Sequence, residues 1–488
     1  MFIIYLLFLI ISNIINCSEN ETMIFAEIHF RHGARAPSKV NETGQDALGI
    51  EWSTPGELTP IGERMQYLLG LRNRHRYITG DYRFISDIYD PHELIVFSSN
   101  VNRTLQSVSS QLQGFYPASS GRGDKLSSEQ YDKAVPPFNC KEFESEKNNL
   151  KDSALPNYMT IIPIHYIGFT NFSINCTEKV KNIINNNNNK QSVRNYVDSF
   201  NKNFSKKFNQ YLNNIEDNFL NFSYIIDVCD AVFADHFEKK NTTSFYDKIN
   251  IEKDDLIQSC HEALTIRYRD IYFGDDKNEY ILYYNSYILN DMINYIKRRI
   301  EDDINGDISQ KNISDYSRPK MVFLSGHDTT LSAQQMFFIK FFNLELKSFI
   351  LPNYSSQISF EVTRKEINDN LRNTLKYSDY TIKYYFDDML ILSQTFDKFL
   401  EEVEKNLWDY KKIELFCLGE VKKPVDNSNK IIIFMGVLIF ILTIVVIVLI
   451  FLLLKNNKSK NKNKKPITEN FINDKIIENE KIINDDED

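Results

Sequence analysis

A strand that runs into two arginines and a histidine constrains this chain more than any other feature. Met23 to Phe30 is an apolar run in loose alternation, with Ile24, Ala26 and Ile28 set against Phe25, Glu27 and His29. That pattern predicts a strand. The run breaks at Arg31-His32-Gly33-Ala34-Arg35-Ala36-Pro37. Gly33 permits a sharp turn, and Pro37 keeps the segment from rejoining a sheet. An imidazole is thus held between two guanidinium groups at a strand's C-terminal end. A guanidinium fork matches the oxygens of a phosphate. An imidazole is neutral near pH 6.5 and can attack phosphorus. A solvated basic loop is the plainer alternative, and it has to be weighed against what the rest of the chain supplies.

Two further junctions repeat the strand-to-loop pattern. Glu93 to Ser98 reads as a buried strand, followed by Ser99-Asn100-Val101-Asn102-Arg103-Thr104 and a helix to about Phe115. Met321 to Ser325 reads as another, followed by Gly326-His327-Asp328-Thr329-Thr330 and a helix from Leu331. In open α/β sheets, ligands bind beyond the carboxyl ends of the strands. Helix N-termini there add amide donors suited to an anion. Three such ends would bring together Arg31, His32 and Arg35, then Arg103, then His327 with Asp328, and so supply a nucleophile, cationic clamps and an acid. The reaction class is phosphoryl transfer from a phosphomonoester through phosphohistidine. Between the first two junctions, Thr59 is a good helix cap, Pro60 suits the first helical position and Glu63 acidifies the first turn. Ile61, Met65, Leu68 and Leu69 have the spacing of that helix's core face.

The character of the chain changes from about Ser120 to Arg318, where Asn, Lys and aromatic residues dominate. Asn185 to Asn189 reads as a low-complexity loop without function. Val193, Tyr196, Val197, Phe200, Phe204, Phe208, Leu212 and Ile215 recur at helical spacing, as do Ile281, Tyr284, Ile288, Met292 and Ile296. The expected organisation is an α/β core, residues 18–119 and 319–429, carrying a helical insert, residues 120–318. The 35 Phe and 27 Tyr are enough for a sizeable core. The net charge of -9, with no basic domain, argues against a nucleic-acid partner.

Both ends carry apolar runs. Met1 to Ile15 has the length of a signal-peptide core, though it lacks a basic start, and cleavage near Cys17 would leave 1–17 as the leader. Ile431 to Leu454 is an unbroken apolar run, and about 20 such residues cross a bilayer. Lys455, Lys458, Lys460, Lys462, Lys464 and Lys465 follow. Basic residues stay on the cytoplasmic side. The expectation is one C-terminal transmembrane helix over 430–455, a cytoplasmic tail over 456–488, and a type I orientation with the catalytic part lumenal or extracellular. Asn-x-Ser/Thr sequons begin at Asn20, Asn41, Asn171, Asn175, Asn203, Asn221, Asn241, Asn312 and Asn353. Without Cys17, the remaining cysteines are Cys140, Cys176, Cys229, Cys260 and Cys417, an odd number. No Cys-x-x-Cys spacing occurs, which argues against zinc.

These residues resemble the histidine acid phosphatases. The resemblance rests on Arg31-His32-Gly33-x-Arg35-x-Pro37 and a distant His327-Asp328. It runs on through Glu57-Leu58-Thr59-x-x-Gly62, Asn102-Arg103-Thr104 and Ser325-Gly326-His327-Asp328-Thr329-Thr330, and covers roughly Met23 to Cys417. With a leader, one span and a short tail, the layout is most similar to lysosomal and prostatic-type membrane acid phosphatases. The resemblance implies a mixed-sheet, doubly wound α/β domain with a smaller helical domain over the site. It also implies that His32 attacks phosphorus, that Arg31, Arg35, Arg103 and His327 hold the phosphoryl oxygens, and that Asp328 protonates the leaving oxygen and then helps activate water. No metal or other cofactor is implied. Asn100 and Asn102 stand where the family often has Asp. Cys140 and Cys417 sit where the family often joins two cysteines. Cys229 lacks its usual partner near Tyr354-Ser355-Ser356-Gln357, which leaves Cys260 as one candidate. Phytases and inositol-polyphosphate phosphatases share both motifs, and a highly basic pocket rim would favour them. A non-catalytic surface binding protein on the same scaffold is the remaining alternative. A homodimer is compatible with the chain, whose oligomeric state the sequence leaves open.

Overall fold

The computed structural model describes residues 21–418, apart from 119, 121–124, 132, 137–143, 167–175, 209–219, 241–252 and 307–316, together with 442–444, 446–450 and 452. The strand predicted at Met23 forms β1, Glu21–Arg31. It lies at the centre of a seven-stranded mixed sheet of order β3-β2-β4-β1-β5-β6-β7. The other strands are β2 (Leu94–Ser98), β3 (His165–Tyr166), β4 (Met321–Gly326), β5 (Gln357–Lys365), β6 (Tyr380–Phe386) and β7 (Met389–Thr395). β1, β4, β2 and β3 run parallel. β5, β6 and β7 complete the sheet antiparallel. Register places Arg31 opposite Gly326 and Ser98 opposite Ser325. The three predicted junctions therefore leave the sheet at the same edge.

Helices cover both faces, as the near-continuous apolar runs of β1 and β4 require. On one face, Ile28, Phe30, Val96 and Phe323 pack with Val108, Leu112 and Phe115. The last three belong to α2 (Asn102–Phe115), which follows α1 (Pro60–Arg74). On the other face, Phe25, Phe360 and Tyr384 pack with Leu289, Met292 and Ile296 of α7 (Glu279–Asn305) and with Phe337 and Phe338 of α8 (Asp328–Phe341). The predicted stripe of α7 thus packs on the sheet itself. A separate apolar cluster joins α4 (Gln191–Phe208), α5 (Phe222–Glu238) and α6 (Lys253–Thr265) through Phe200, Phe204, Ile225, Cys229, Cys260 and Ala263.

Three expectations are corrected. The core face of α1 is not Ile61, Met65, Leu68 and Leu69: Leu68 is 56% exposed, and the buried residues are Gly62, Gln66, Gly70 and Asn73. The reason is close helix packing. A Cβ at Gly70 would overlap the Gln111 carbonyl of α2, and one at Gly114 would overlap the Tyr67 carbonyl of α1. The glycines let the backbones meet, while Gln66 and Asn73 are buried by donating to the Arg31 carbonyl and to Gln357 Oε1. The Asn-rich stretch is not a loop through Asn188: it is the end of α3, Thr177–Asn188, pinned where Asn187 Nδ2 donates to the Ile271 carbonyl at 3.1 Å. Cys417 pairs with Cys176, not with Cys140, which lies outside the described residues. The start of α3 reaches α9 (Tyr410–Leu418), so Cys176 is the thiol within bonding distance. Cys229 pairs with Cys260.

Residues through Gly419 form one compact unit, and Glu420–Asp488 form a second. The expected leader and most of the expected span over 430–455 lie outside the described residues. Among those described, no helix is long and apolar enough to cross a membrane.

Candidate active site

The loop after β1 is held by its neighbours on both sides. His32 N–H donates to the Gly326 carbonyl at 3.1 Å, and Ser99 N–H donates to the Ser325 carbonyl at 3.1 Å. The loops after β1, β4 and β2 are thereby stitched together. Gly33 serves a closer need than the expected turn. A Cβ there would overlap the carbonyl of Gly62, and a Cβ at Gly62 would overlap the Ala34 carbonyl. Thr59 caps α1 as predicted, its hydroxyl accepting from Gly62 N–H, and its own N–H donates to the Ala34 carbonyl at 3.0 Å. The N-terminus of α1 thus clamps the arginine loop.

All six residues singled out from the sequence line one cavity of about 610 Å³. His32 is 2% exposed, and its Nδ1 lies 2.9 Å from the Gly33 carbonyl. A carbonyl can only accept, so Nδ1 carries the proton and Nε2 keeps its lone pair. The His327 ring lies 5.6 Å away, centroid to centroid. Arg103 Nη2 donates to His327 Nδ1 at 3.4 Å, and His327 Nε2 lies 3.0 Å from the Ser99 hydroxyl. That pairing describes a neutral ring. Arg103 is the second residue of α2, and Asp328 opens α8 with His327 as the residue before it.

Two of the site's cations have carboxylate partners. Arg31 Nη2 meets Asp328 Oδ2 at 2.9 Å, and Arg31 Nη1 donates to the Pro352 carbonyl at 2.7 Å. Arg35 forms a two-pronged pair with Asp230 of α5, at 2.8 and 3.1 Å. The Nε atoms of Arg31, Arg35 and Arg103 are buried and without a hydrogen-bond partner. Buried donors are normally satisfied, so three orphaned guanidinium N–H groups around one cavity describe a hole for an anion.

Electrostatics set the protonation states. Burial, then Arg31 and Arg35, hold the His32 pKa well below its ordinary value. Burial and Arg103 bring His327 down to about 4. Burial alone would raise Asp328, but Arg31 and Arg35 outweigh it and hold the carboxyl at about 2. The ligand-free carboxyl is therefore ionised and cannot by itself supply the proton that the expected role of Asp328 requires. Its arginine partner is the cause.

Sequence reasoning missed several residues of the cavity. Asp230, Lys39, Tyr268 and Tyr354 line it, as do Asn185 and Asn188 of the dismissed Asn-rich stretch. Ser99, behind His327, was also missed. No motif marks Asp230 or Tyr354, because tertiary packing alone brings them in. The Asn run could have been found by its helical cap context, since Thr177 and Glu178 precede it at a helix start.

Comparison with known proteins follows the same outline. Lysosomal acid phosphatase of Xenopus laevis is 30% identical over 115 residues, 24% of this chain and 26% of that one. Testicular acid phosphatase of Mus musculus is 35% identical over 98 residues, 20% and 22% of the two chains. The chain thus aligns with about a quarter of the length of these relatives. Hafnia alvei phytase, solved in complex with myo-inositol hexakis sulphate, shares the fold with a TM-score of 0.50 at 13% identity, over 80% of this chain and 98% of that one. Residues 22–387, from β1 to the turn after β6, match the histidine phosphatase superfamily (branch 2), and this chain belongs to that family.

Proposed function

We propose that this protein is an acid phosphatase that hydrolyses phosphomonoesters through a phosphohistidine on His32. The observation that carries the reading is the fixed tautomer of His32, whose Nδ1 is tied to the Gly33 carbonyl while its Nε2 stays free among three orphaned arginine N–H groups. Nε2 attacks phosphorus and the ester P–O bond breaks. Asp328 delivers a proton to the leaving oxygen. Water then attacks phosphorus, its proton passes to Asp328, the P–N bond breaks, and phosphate leaves with His32 restored. Arg31, Arg35, Arg103 and His327 hold the phosphoryl oxygens. Because Arg31 holds the Asp328 carboxyl ionised, the proton arrives with the ester monoanion, whose second pKa is about 6. Occupation of Arg31 by the phosphoryl group then releases Asp328 to carry that proton, so acidic conditions favour the reaction.

The cavity wall favours a monoester with an apolar body over a polyphosphorylated ring. Away from the phosphoryl hole it presents Ile226, Phe233, Leu264, Ile271 and Tyr272. Of the cations outside the hole, Lys39 is already paired with Asp227, and Arg267 donates to the Tyr272 hydroxyl. An inositol polyphosphate would need several unpaired cations. The lysosomal relative and the two disulfides support a lumenal or extracellular site. The apolar run Ile431 to Leu454 and the lysines after it support an anchor at 430–455 with 456–488 cytoplasmic.

The purified protein is to be assayed on alkyl, aryl and inositol phosphates. His32→Ala should remove essentially all turnover while the fold is kept, and acid-labile phosphate should be trapped on His32 in the wild type. Asp328→Asn should slow phosphoenzyme formation from alkyl phosphates far more than from p-nitrophenyl phosphate, since general acid help is worth about 10²–10⁴ where the leaving group is basic. Near-normal turnover by His32→Ala sinks the nucleophile assignment, and equal losses on both ester classes sink the acid assignment.

A further inference from the structure

The orphaned groups around the cavity include one that carries no charge. Tyr354 is 6% exposed, lines the cavity, and its hydroxyl is buried with no hydrogen-bond partner. Its place is not an accident of a loose loop. The segment before β5 is sewn to the end of β1: Arg31 N–H donates to the Ser356 carbonyl at 2.9 Å, Ser355 N–H donates to the His32 carbonyl at 3.2 Å, and Arg31 Nη1 donates to the Pro352 carbonyl at 2.7 Å. The Tyr354 ring then lies 4.3 Å under the Arg31 guanidinium and 5.8 Å from the His32 ring, centroid to centroid, with Phe237 packed edge-on behind it at 5.4 Å.

Packing explains the ring but not the hydroxyl. A phenylalanine would make the same contacts with Arg31, His32 and Phe237 and would bury no unsatisfied group. The hydroxyl shares its condition with the Nε atoms of Arg31, Arg35 and Arg103. All four are polar, buried and unpartnered, and all four belong to residues that line one cavity. We propose that the Tyr354 hydroxyl is a ligand of the transferring phosphoryl group, donating to one of its oxygens in both the ester and the phosphohistidine. This rests on the phosphatase reading above. Burial keeps the phenol protonated, so it can act only as a donor toward an anion. A neutral donor also adds a hydrogen bond without adding a cation beside Asp328, whose proton the reaction needs.

The test compares Tyr354→Phe with wild type in the full chain, using inorganic phosphate as the probe. The variant should unfold at the same temperature as wild type or slightly higher when ligand-free, because an unsatisfied hydroxyl has been removed. Its affinity for phosphate should fall about 10-fold or more, the scale of one hydrogen bond to a charged group. kcat/KM should fall at least as far, and the gain in melting temperature given by saturating phosphate should shrink. A purely structural tyrosine would lose stability and leave phosphate affinity alone, and that result overturns the proposal, as does wild-type affinity together with wild-type kcat/KM. Should the variant fail to fold, wild type carrying 3-fluorotyrosine at position 354 is titrated with phosphate instead. A fluorine resonance that does not shift also overturns it. His32→Ala separates the two readings: it should bind phosphate without turnover. A wild type that neither binds phosphate nor turns over would defeat the phosphatase reading, and the Tyr354 assignment with it.

Discussion

His32 and His327 are held neutral by burial and by the arginines around them, and this has a cost that depends on pH. An unfolded histidine takes up its proton near pH 6.5, whereas His327 in the fold takes it up only at about 4. Between those values the unfolded chain binds more protons, so stability falls as the pH drops. His327 alone accounts for about 3 kcal/mol across that window, and His32 adds to it with the same sign. Asp328 behaves differently. Its lowered pKa contributes stability that is complete above about pH 4 and is lost only as the pH falls through about 2, so it takes no part in the loss. Glu27, buried against His29 on β1, has a raised pKa and opposes the trend, but its partners are His29 and the sheet interior rather than the cavity. Phosphate therefore separates the terms. The ligand-free protein should lose melting temperature from pH 6.5 to 4.5, and saturating phosphate should recover the part that belongs to His327 by favouring its protonated ring, while His32 keeps its lone pair. A loss that phosphate leaves unchanged would place its origin outside the site.

At the scale of elements, β1, β2 and β4 with their ends were legible, whereas β3, β5, β6 and β7 and one helix face were not. Ile24, Ala26 and Ile28 alternate clearly enough to place β1, and the register of β1, β4 and β2 then follows from parallel packing. Arg31, Arg103 and His327 could be brought together from sequence because each lies within a few residues of such an end. The face of α1 was misread because an apolar count ignores how near two backbones can come. Gly62 and Gly70 mark contact more strongly than Leu68 does, since each faces a carbonyl of another segment with no room for a Cβ. Asp230 and Tyr354 were invisible for a related reason: no local pattern records which distant segment a side chain will meet. The glycine contact is testable. Gly62→Ala forces the N-terminus of α1 away from Ala34, at an overpacking cost of about 1–3 kcal/mol. Urea unfolding should show that loss, and KM should rise because Arg35 moves with Ala34. An unchanged midpoint and KM would mean that the loop holds itself without the clamp.

The unit that ends at Gly419 is closed by bonds that join separated parts of the chain. Cys176 and Cys417 are separated by 241 residues, and Cys229 and Cys260 by 31. Disulfides persist where the compartment is oxidising, which agrees with a chain whose catalytic part lies outside the cytosol. In the chain-entropy account, the gain grows with the loop closed, to about 5.5 kcal/mol for the longer bridge and about 4 kcal/mol for the shorter. The longer bridge also has a local task. It fixes the start of α3, whose far end places Asn185 and Asn188 on the cavity wall, to the last helix before Gly419. A chain ending before Lys430 keeps Cys417. It should therefore leave the membrane, remain folded and turn over phosphomonoesters as the full chain does. In that shortened protein, replacing Cys176 and Cys417 together by Ser should lower the melting temperature more than replacing Cys229 and Cys260. It should also raise KM for esters with large leaving groups while leaving phosphate affinity nearly unchanged, because the wall shifts and the phosphoryl hole does not. A shortened chain that still sediments with alkali-washed membranes would remove the anchor assignment. Equal effects of the two pairs on KM would separate the long bridge from the shape of the wall.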